Sequence, residues 1–321
     1  MNAKLRTVLM IAAGVATICG FDGLAQAETT LITLGTGGGP LPRADRAQSS
    51  NLLIVNGALY LIDAGGGVTG RIVQSGSNFR KANKIFITHA HSDHTAGLAT
   101  LLVSQWEQQA DPTDVNGSGV EALVKGAIDY LTPNADIRWT EGKKRPMTDM
   151  FHGHDVAPGV VYQDANVKVT AVENTHFHFQ PGDPAYGKYK SYSYRFETPD
   201  KVVFFTGDTG PADAVVKLAE GADLYVTETT SPEDVVDLYK KNGIWQSKTP
   251  EEQQGFLRHM HEEHVTPTDI GQMAAKAHVK AVIMSHIGPS VTPNDDYQRY
   301  IDEAKKYYSG PITLAKDLMK F

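Results

Sequence analysis

Seven consecutive residues, Thr88-His89-Ala90-His91-Ser92-Asp93-His94, put three imidazoles and a carboxylate directly behind the apolar run 84–88. All four side chains are metal-ligating types, and so dense a set suits metal-assisted hydrolysis, in which bound ions activate water and neutralise developing charge. In an extended segment successive side chains alternate, so His89 and His91 point the same way, as two ligands of one ion must. Asp93 and His94 fall where a helical pattern begins at 94–105, and there they face a second ion. The sequence holds one cysteine, Cys19, which excludes a cysteine-rich zinc site. Any metal must be held by His, Asp and Glu.

Such ligands need rigid strand ends. Short β-branched runs predict strands at 30–35, 51–56, 58–63, 84–88, 167–172, 191–196, 202–206, 224–227 and 281–285. Asn56-Gly57 predicts a hairpin turn between the second and third. Helical periodicity is clearest at 94–105, 118–131, 213–220, 250–259, 266–277 and 295–307. Strands alternating with helices imply an α/β fold with mixed sheets and helices outside. The stretch 110–159, broken by Asp-Pro, Asn-Gly and Thr-Pro, predicts one helix and long loops, either a lid or a solvated insertion.

Composition narrows the function classes. The chain has 321 residues, 41% hydrophobic and 21% charged, a profile with ample core that excludes a disordered or collagen-like chain. A net charge of −7 gives no global attraction to phosphate backbones, so nucleic acid is excluded as a partner at this stage. Lys4 and Arg6 precede the uncharged run 7–21, and Ala25-Gln26-Ala27 supplies a small-x-small cleavage pattern. Residues 1–27 therefore read as a signal peptide, with a periplasmic or secreted, cysteine-free chain beginning at Glu28 and no membrane attachment after cleavage.

The His-x-His-x-Asp-His segment resembles the signature of the metallo-β-lactamase superfamily, and further positions extend the likeness over nearly all of 28–321. Asp63 in Leu-Ile-Asp-Ala-Gly-Gly-Gly looks like the superfamily's structural aspartate. His176 in Glu-Asn-Thr-His, Asp208 in Thr-Gly-Asp-Thr-Gly and His286 in Met-Ser-His-Ile look like its remaining ligands. The resemblance implies one catalytic domain built as an αββα sandwich, two mixed β-sheets with helices outside. It assigns His89, His91 and His176 to one ion, Asp93, His94 and His286 to a second, and Asp208 to the bridge between them. His178 stands as an alternative to His176. Five imidazoles and two carboxylates suit two Zn²⁺ ions, with Mn²⁺ or Fe²⁺ tolerated.

Within the superfamily the sequence is most similar to the tRNase Z and arylsulfatase-type branch. The likeness rests on Leu-Gly-Thr-Gly-Gly-Gly-Pro-Leu-Pro-Arg, Ser-Tyr-Arg-Phe-Glu, Val-Thr-Glu-Thr-Thr and His264-Val-Thr-Pro. In that branch a His–Glu pair protonates the leaving group, and the matching residues are His264 and Glu228. Asp93 orients the nucleophile as well as holding metal. Arg43 and Arg46 are candidates to meet an anionic group. The tRNA-gripping arm of the branch has no counterpart. The expected substrate is accordingly a small-molecule ester, an aryl sulfate or phosphodiester first, with a lactone or other carboxylic or thioester second and a non-catalytic metal-binding protein as the remote alternative. The oligomeric state is open, a homodimer among the possibilities.

Overall fold

The computed structural model describes residues 28–142, 145–288 and 297–321. The proposed signal peptide at 1–27 lies outside the described residues, as does the start of the helix expected at 295–307. Among the described residues no helix is long and apolar enough to cross a membrane.

Two seven-stranded sheets carry the fold. The first runs, edge to edge, through β14 (Met319–Lys320), β1 (Thr29–Gly35), β2 (Ser50–Val55), β3 (Ala58–Ile62), β4 (Lys84–Phe86), β5 (Thr113–Gly117) and β6 (Phe151–Asp155). The second runs through β13 (Ile312–Leu314), β12 (Val282–Ile287), β11 (Leu224–Thr229), β10 (Val202–Phe205), β9 (Tyr192–Glu197), β8 (Lys168–Glu173) and β7 (Gly159–Gln163). Each sheet is antiparallel at one end and parallel at the other, so both are mixed, as expected.

Burial explains the layering. Leu31, Tyr60, Ile62 and Phe86 of the first sheet meet Val169, Tyr194, Phe196 and Phe205 of the second in the central layer. Phe86 sits there edge-on to Phe196 at 5.1 Å and to Tyr162 at 5.5 Å, the geometry aromatic quadrupoles favour. The outer faces are sealed by separate apolar layers. Helix Leu98–Glu107 covers the first sheet through Leu101, Leu102 and Trp106, and helix Pro267–Lys276 covers the second through Ile270 and Met273. The turn at Asn56-Gly57 has both residues at positive φ, 50° and 81°, as a two-residue hairpin between right-twisted strands requires.

The stretch 110–159 departs from expectation. It is not a loop-rich lid but a 21-residue helix, Val120–Thr140, flanked by β5 and β6, which extend the first sheet. Both strands are too polar to show an apolar run: Thr-Asp-Val-Asn-Gly and Phe-His-Gly-His-Asp pair in parallel with their neighbours and leave most of edge strand β6 facing solvent. Helices Val68–Gln74 and Pro232–Lys241 also went unpredicted.

Candidate metal centre

Strand ends aim the site residues at one place. His89, His91, Asp93 and His94 follow β4, His176 follows β8, Asp208 follows β10, Glu228 lies in β11 and His286 near the end of β12. This is the loop-bearing end of the parallel strands, where α/β sheets characteristically place ligands. Asp63 and His286 hold positive φ values of 61° and 42° without being glycine, a strain of about 1–3 kcal/mol each that surrounding packing must sustain.

Three nitrogens form the first cluster. His91 Nδ1 lies 3.0 Å from His89 Nε2 and 3.1 Å from His176 Nε2. Two imidazoles bound tetrahedrally at about 2.0–2.1 Å stand roughly 3.3 Å apart, so this spacing fits a shared zinc-sized ion. Asp93, His94 and His286 make the second cluster, with His286 Nε2 at 3.1 Å from Asp93 Oδ2. Asp208 sits between the clusters, its Oδ1 at 3.4 Å from His94 Nε2 and its Oδ2 at 3.3 Å from His286 Nε2. Asp208 also groups with His89 and His94, and with His176 and His264.

The donor set fits cations on an independent ground. His94 Nε2 and Asp208 Oδ1, which face each other at 3.4 Å, are buried without a hydrogen-bond partner. Buried polar atoms normally find partners, and two that face each other unpaired inside the ligand cluster are atoms an ion would satisfy. The outward nitrogens of His89, His94 and His176, by contrast, are held. His94 Nδ1 donates to Asp63 Oδ2 at 2.8 Å, and His176 Nδ1 donates to the Glu263 carbonyl at 2.9 Å. The Thr88 hydroxyl bridges Asp63 to His89 Nδ1, at 3.0 and 3.1 Å. Each bond fixes a tautomer that leaves Nε2 free for metal.

Electrostatics split the histidines in two. Burial drives His89 well below its ordinary value and lowers His176 to about 3. For His94 and His286 burial is outweighed by the surrounding carboxylates, which hold His94 well above the usual range and His286 at about 9. Asp93 and Asp208 lie well below the carboxylate range, because His94 and His286 outweigh the burial that would raise them.

Beside the clusters His264 Nδ1 meets Glu228 Oε2 at 2.6 Å, and both residues are buried. Glu228 Oε1 accepts from the Thr209 N–H at 2.7 Å, which locks the carboxylate. Burial lowers His264 to about 4, and burial together with the nearby Asp208 carboxylate raises Glu228 well above its ordinary value. His264 Nε2 faces a cavity of about 310 Å³ that also exposes His91, Asp93, Asp208 and His286.

Sequence reasoning missed His259 and Glu263. His259 Nε2 stands 3.3 Å from His264 Nε2, and its Nδ1 donates to Glu263 Oε2 at 2.6 Å. The signal available was their i,i+4 spacing immediately before His264. His176, not His178, joins His89 and His91; His178 turns to Glu263 at 3.2 Å and is 45% exposed. Arg43 and Arg46 do not face the cavity as anion binders. Arg43 is tied to Asp45 and Tyr297, and Arg46 is buried against the Thr36 hydroxyl and the Ala315 carbonyl. His152 and His154 stand half exposed on β6 and engage Asp114.

Comparison with known proteins agrees with this architecture. The metallo-beta-lactamase fold protein YhfI from Bacillus subtilis superposes with a TM-score of 0.65 at 17% identity, covering 91% of this chain and 98% of that one. Human tRNase Z, short form, superposes with a TM-score of 0.60 at 20% identity over 91% and 98%. A Mycobacterium bovis protein named Ribonuclease Z is 26% identical over 296 residues, 91% of this chain and 96% of that protein. That relative overturns two expectations: an exported aryl sulfate or carboxylic ester hydrolase as the function, and the exclusion of nucleic acid as a partner. The error was physical. Net charge averaged over a whole chain does not govern a site whose local field comes from clustered histidines and any cations they hold. A family model described as "Beta-lactamase superfamily domain" matches residues 59–287, and the chain belongs to that superfamily.

Proposed function

We propose that the chain is a metal-dependent phosphodiesterase acting on RNA, with two divalent ions, zinc first, at the two clusters. His89, His91 and His176 would hold one ion, Asp93, His94 and His286 the other, with Asp208 between them. When bound, such ions supply water activation and charge neutralisation at the phosphoryl group. The observation that carries the reading is the His264–Glu228 pair, 2.6 Å apart and opening onto the same cavity as the ligands. A proton on a fixed imidazole is what departure of a ribose oxygen requires, and general acid catalysis of this kind contributes about 10²–10⁴-fold. Asp93, anchored by the Gly39 N–H at 2.9 Å, orients the attacking water. Likeness to proteins named Ribonuclease Z across 91% of the chain supports RNA over other esters.

The same proposal takes 28–321 as one catalytic domain and 1–27 as an export signal, checked by N-terminal sequencing of protein recovered from the periplasm. The activity test incubates zinc-loaded protein with RNA carrying a 3′ extension, with bis(p-nitrophenyl) phosphate and with p-nitrophenyl sulfate. Cleavage of the first two is expected, with RNA cleavage lost in His264→Ala and cleavage of the p-nitrophenyl diester much less affected. Intact RNA alongside rapid turnover of the sulfate overturns the reading.

A further inference from the structure

The ligand cluster lies between two apolar chambers, and His91 lines both. The first, about 310 Å³, is walled by Leu41, Val235, Tyr239, Phe256 and Met260. The second, about 400 Å³, is walled by Leu123, Phe177, Phe179 and Tyr189. Each contains a pair of aromatic rings in close contact, tilted in the first and stacked in the second. Tyr239 lies 4.9 Å from Phe256 at an interplanar angle of 33°, and Phe177 lies 4.8 Å from Phe179 at 29°. All four rings are only partly buried. Phe177 in turn packs edge-on against His89 and His91, at 5.6 and 5.3 Å, so the second stack grows directly out of the ligand shell.

Helices Pro232–Lys241 and Pro250–Glu262, between Glu228 and His264, supply Tyr239 and Phe256. The turn-rich segment 177–189 supplies the second wall, and Tyr189 reaches its place because Gly119, at φ 75°, has no Cβ, which would stand 2.7 Å from the Tyr189 ring. A polar, cation-binding centre flanked by an aromatic stack on each side is complementary to an anion carrying a flat apolar body on each side. A phosphodiester joining two nucleosides has that form. Bases paired in a duplex already have their faces covered by neighbours, whereas unpaired bases offer theirs to aromatic side chains.

Resting on the phosphodiesterase reading above, we propose that the substrate is single-stranded RNA laid across the metal centre, with the base on one side of the scissile phosphate stacked against Tyr239 and Phe256 and the base on the other against Phe177 and Phe179. Affinity then comes from stacking and from the cations at the centre.

The test titrates zinc-loaded protein calorimetrically with a non-cleavable dinucleoside methylenephosphonate and with the analogues lacking the 5′ or the 3′ base. Base stacking of this kind makes Phe256→Ala and Phe179→Ala each weaken binding about tenfold. Phe256→Leu and Phe179→Leu, which keep apolar fill without an aromatic face, should fall between. Each alanine variant should lose its effect when the base it serves is absent, and single-stranded RNA should be cleaved at least tenfold faster than the same sequence in a duplex. Equal binding by the abasic analogues, or equal cleavage of duplex, overturns the proposal. Base-dependent binding without hydrolysis of any cleavable RNA would leave the two chambers standing and remove the phosphodiesterase reading; hydrolysis indifferent to the bases would do the reverse.

Discussion

His264 Nδ1 meets Glu228 Oε2 at 2.6 Å while its Nε2 meets His259 Nε2 at 3.3 Å at the wall of the cavity, so one nitrogen is tied to a carboxyl and the other lies where substrate enters. If Nε2 gives its proton to the leaving oxygen while Nδ1 takes one from Glu228, His264→Ala should cut kcat by about 10²–10⁴-fold with bound metal unchanged. The loss should shrink for a leaving group such as p-nitrophenolate, which departs without protonation. Steady-state kinetics beside elemental analysis decides it, and an equal loss on both leaving groups refutes the acid role.

Glu228 acts through His264, so its removal should misplace the proton and leave the ring in the cavity. Glu228→Gln keeps the shape and the Thr209 N–H bond but cannot give up a proton to Nδ1. A kcat reduced at least tenfold at little-changed KM is expected, with the acid limb of the pH–rate profile displaced. An unshifted profile would mean that Glu228 only fills space.

How much of this was legible in the sequence depended on how local the signal was. His89, His91, Asp93 and His94 lie within six residues of one another, and the geometry kept them together. The strands behind them are buried on both faces and read as apolar runs. β5 and β6 did not, because Thr113, Asp114 and Asn116 earn their place through parallel pairing rather than through hydrophobicity. Which of His176 and His178 turns toward His91 depends on Glu263, whose carbonyl holds the first ring and whose carboxylate meets the second. The aromatic chambers were invisible for a different reason. Tyr239, Phe256, Phe177 and Phe179 come from segments more than 50 residues apart, and nothing in either segment says that the two meet at His91.

The metal-free protein should show a narrow stability maximum near pH 6.5. His89, His176 and His264 are depressed in the folded state, so the unfolded chain binds their protons first and stability falls as pH drops below about 6.5. His286, raised to about 9, has the opposite sign; it contributes about 3 kcal/mol below pH 6.5, and this is lost as pH rises toward 9. Bound metal requires neutral imidazoles, so the zinc-loaded protein should instead gain stability from pH 6 to 8. Thermal melts with and without chelator measure both slopes, and parallel slopes would contradict the assignment of His286 to a metal.

Removal of the bridge tests whether the two clusters act as one centre. Asp208 touches His94 and His286 on one side and groups with His89 on the other. Asp208→Ala should drop metal content below two ions per chain and abolish measurable hydrolysis. Retention of two tightly bound ions would show that the clusters are independent.

The last prediction concerns a residue that binds nothing. Gly38 passes so close to His286 that an added Cβ would stand 2.6 Å from Nδ1 and 2.9 Å from its carbonyl oxygen. The ring cannot yield easily, because His94 stacks against it at 4.9 Å and the backbone of His286 is already held at φ 42°. The Gly38 N–H donates to the Ile287 carbonyl at 2.9 Å, which pins the approach from the other side. Gly38→Ala should therefore rotate or displace His286 and spare His89, His91 and His176. Elemental analysis is expected to fall from two ions toward one, with activity reduced at least tenfold and the fold retained by circular dichroism. A variant that keeps both ions and full activity would show that the loop bearing Gly38 is free to move away, and that His286 does not depend on it for its position.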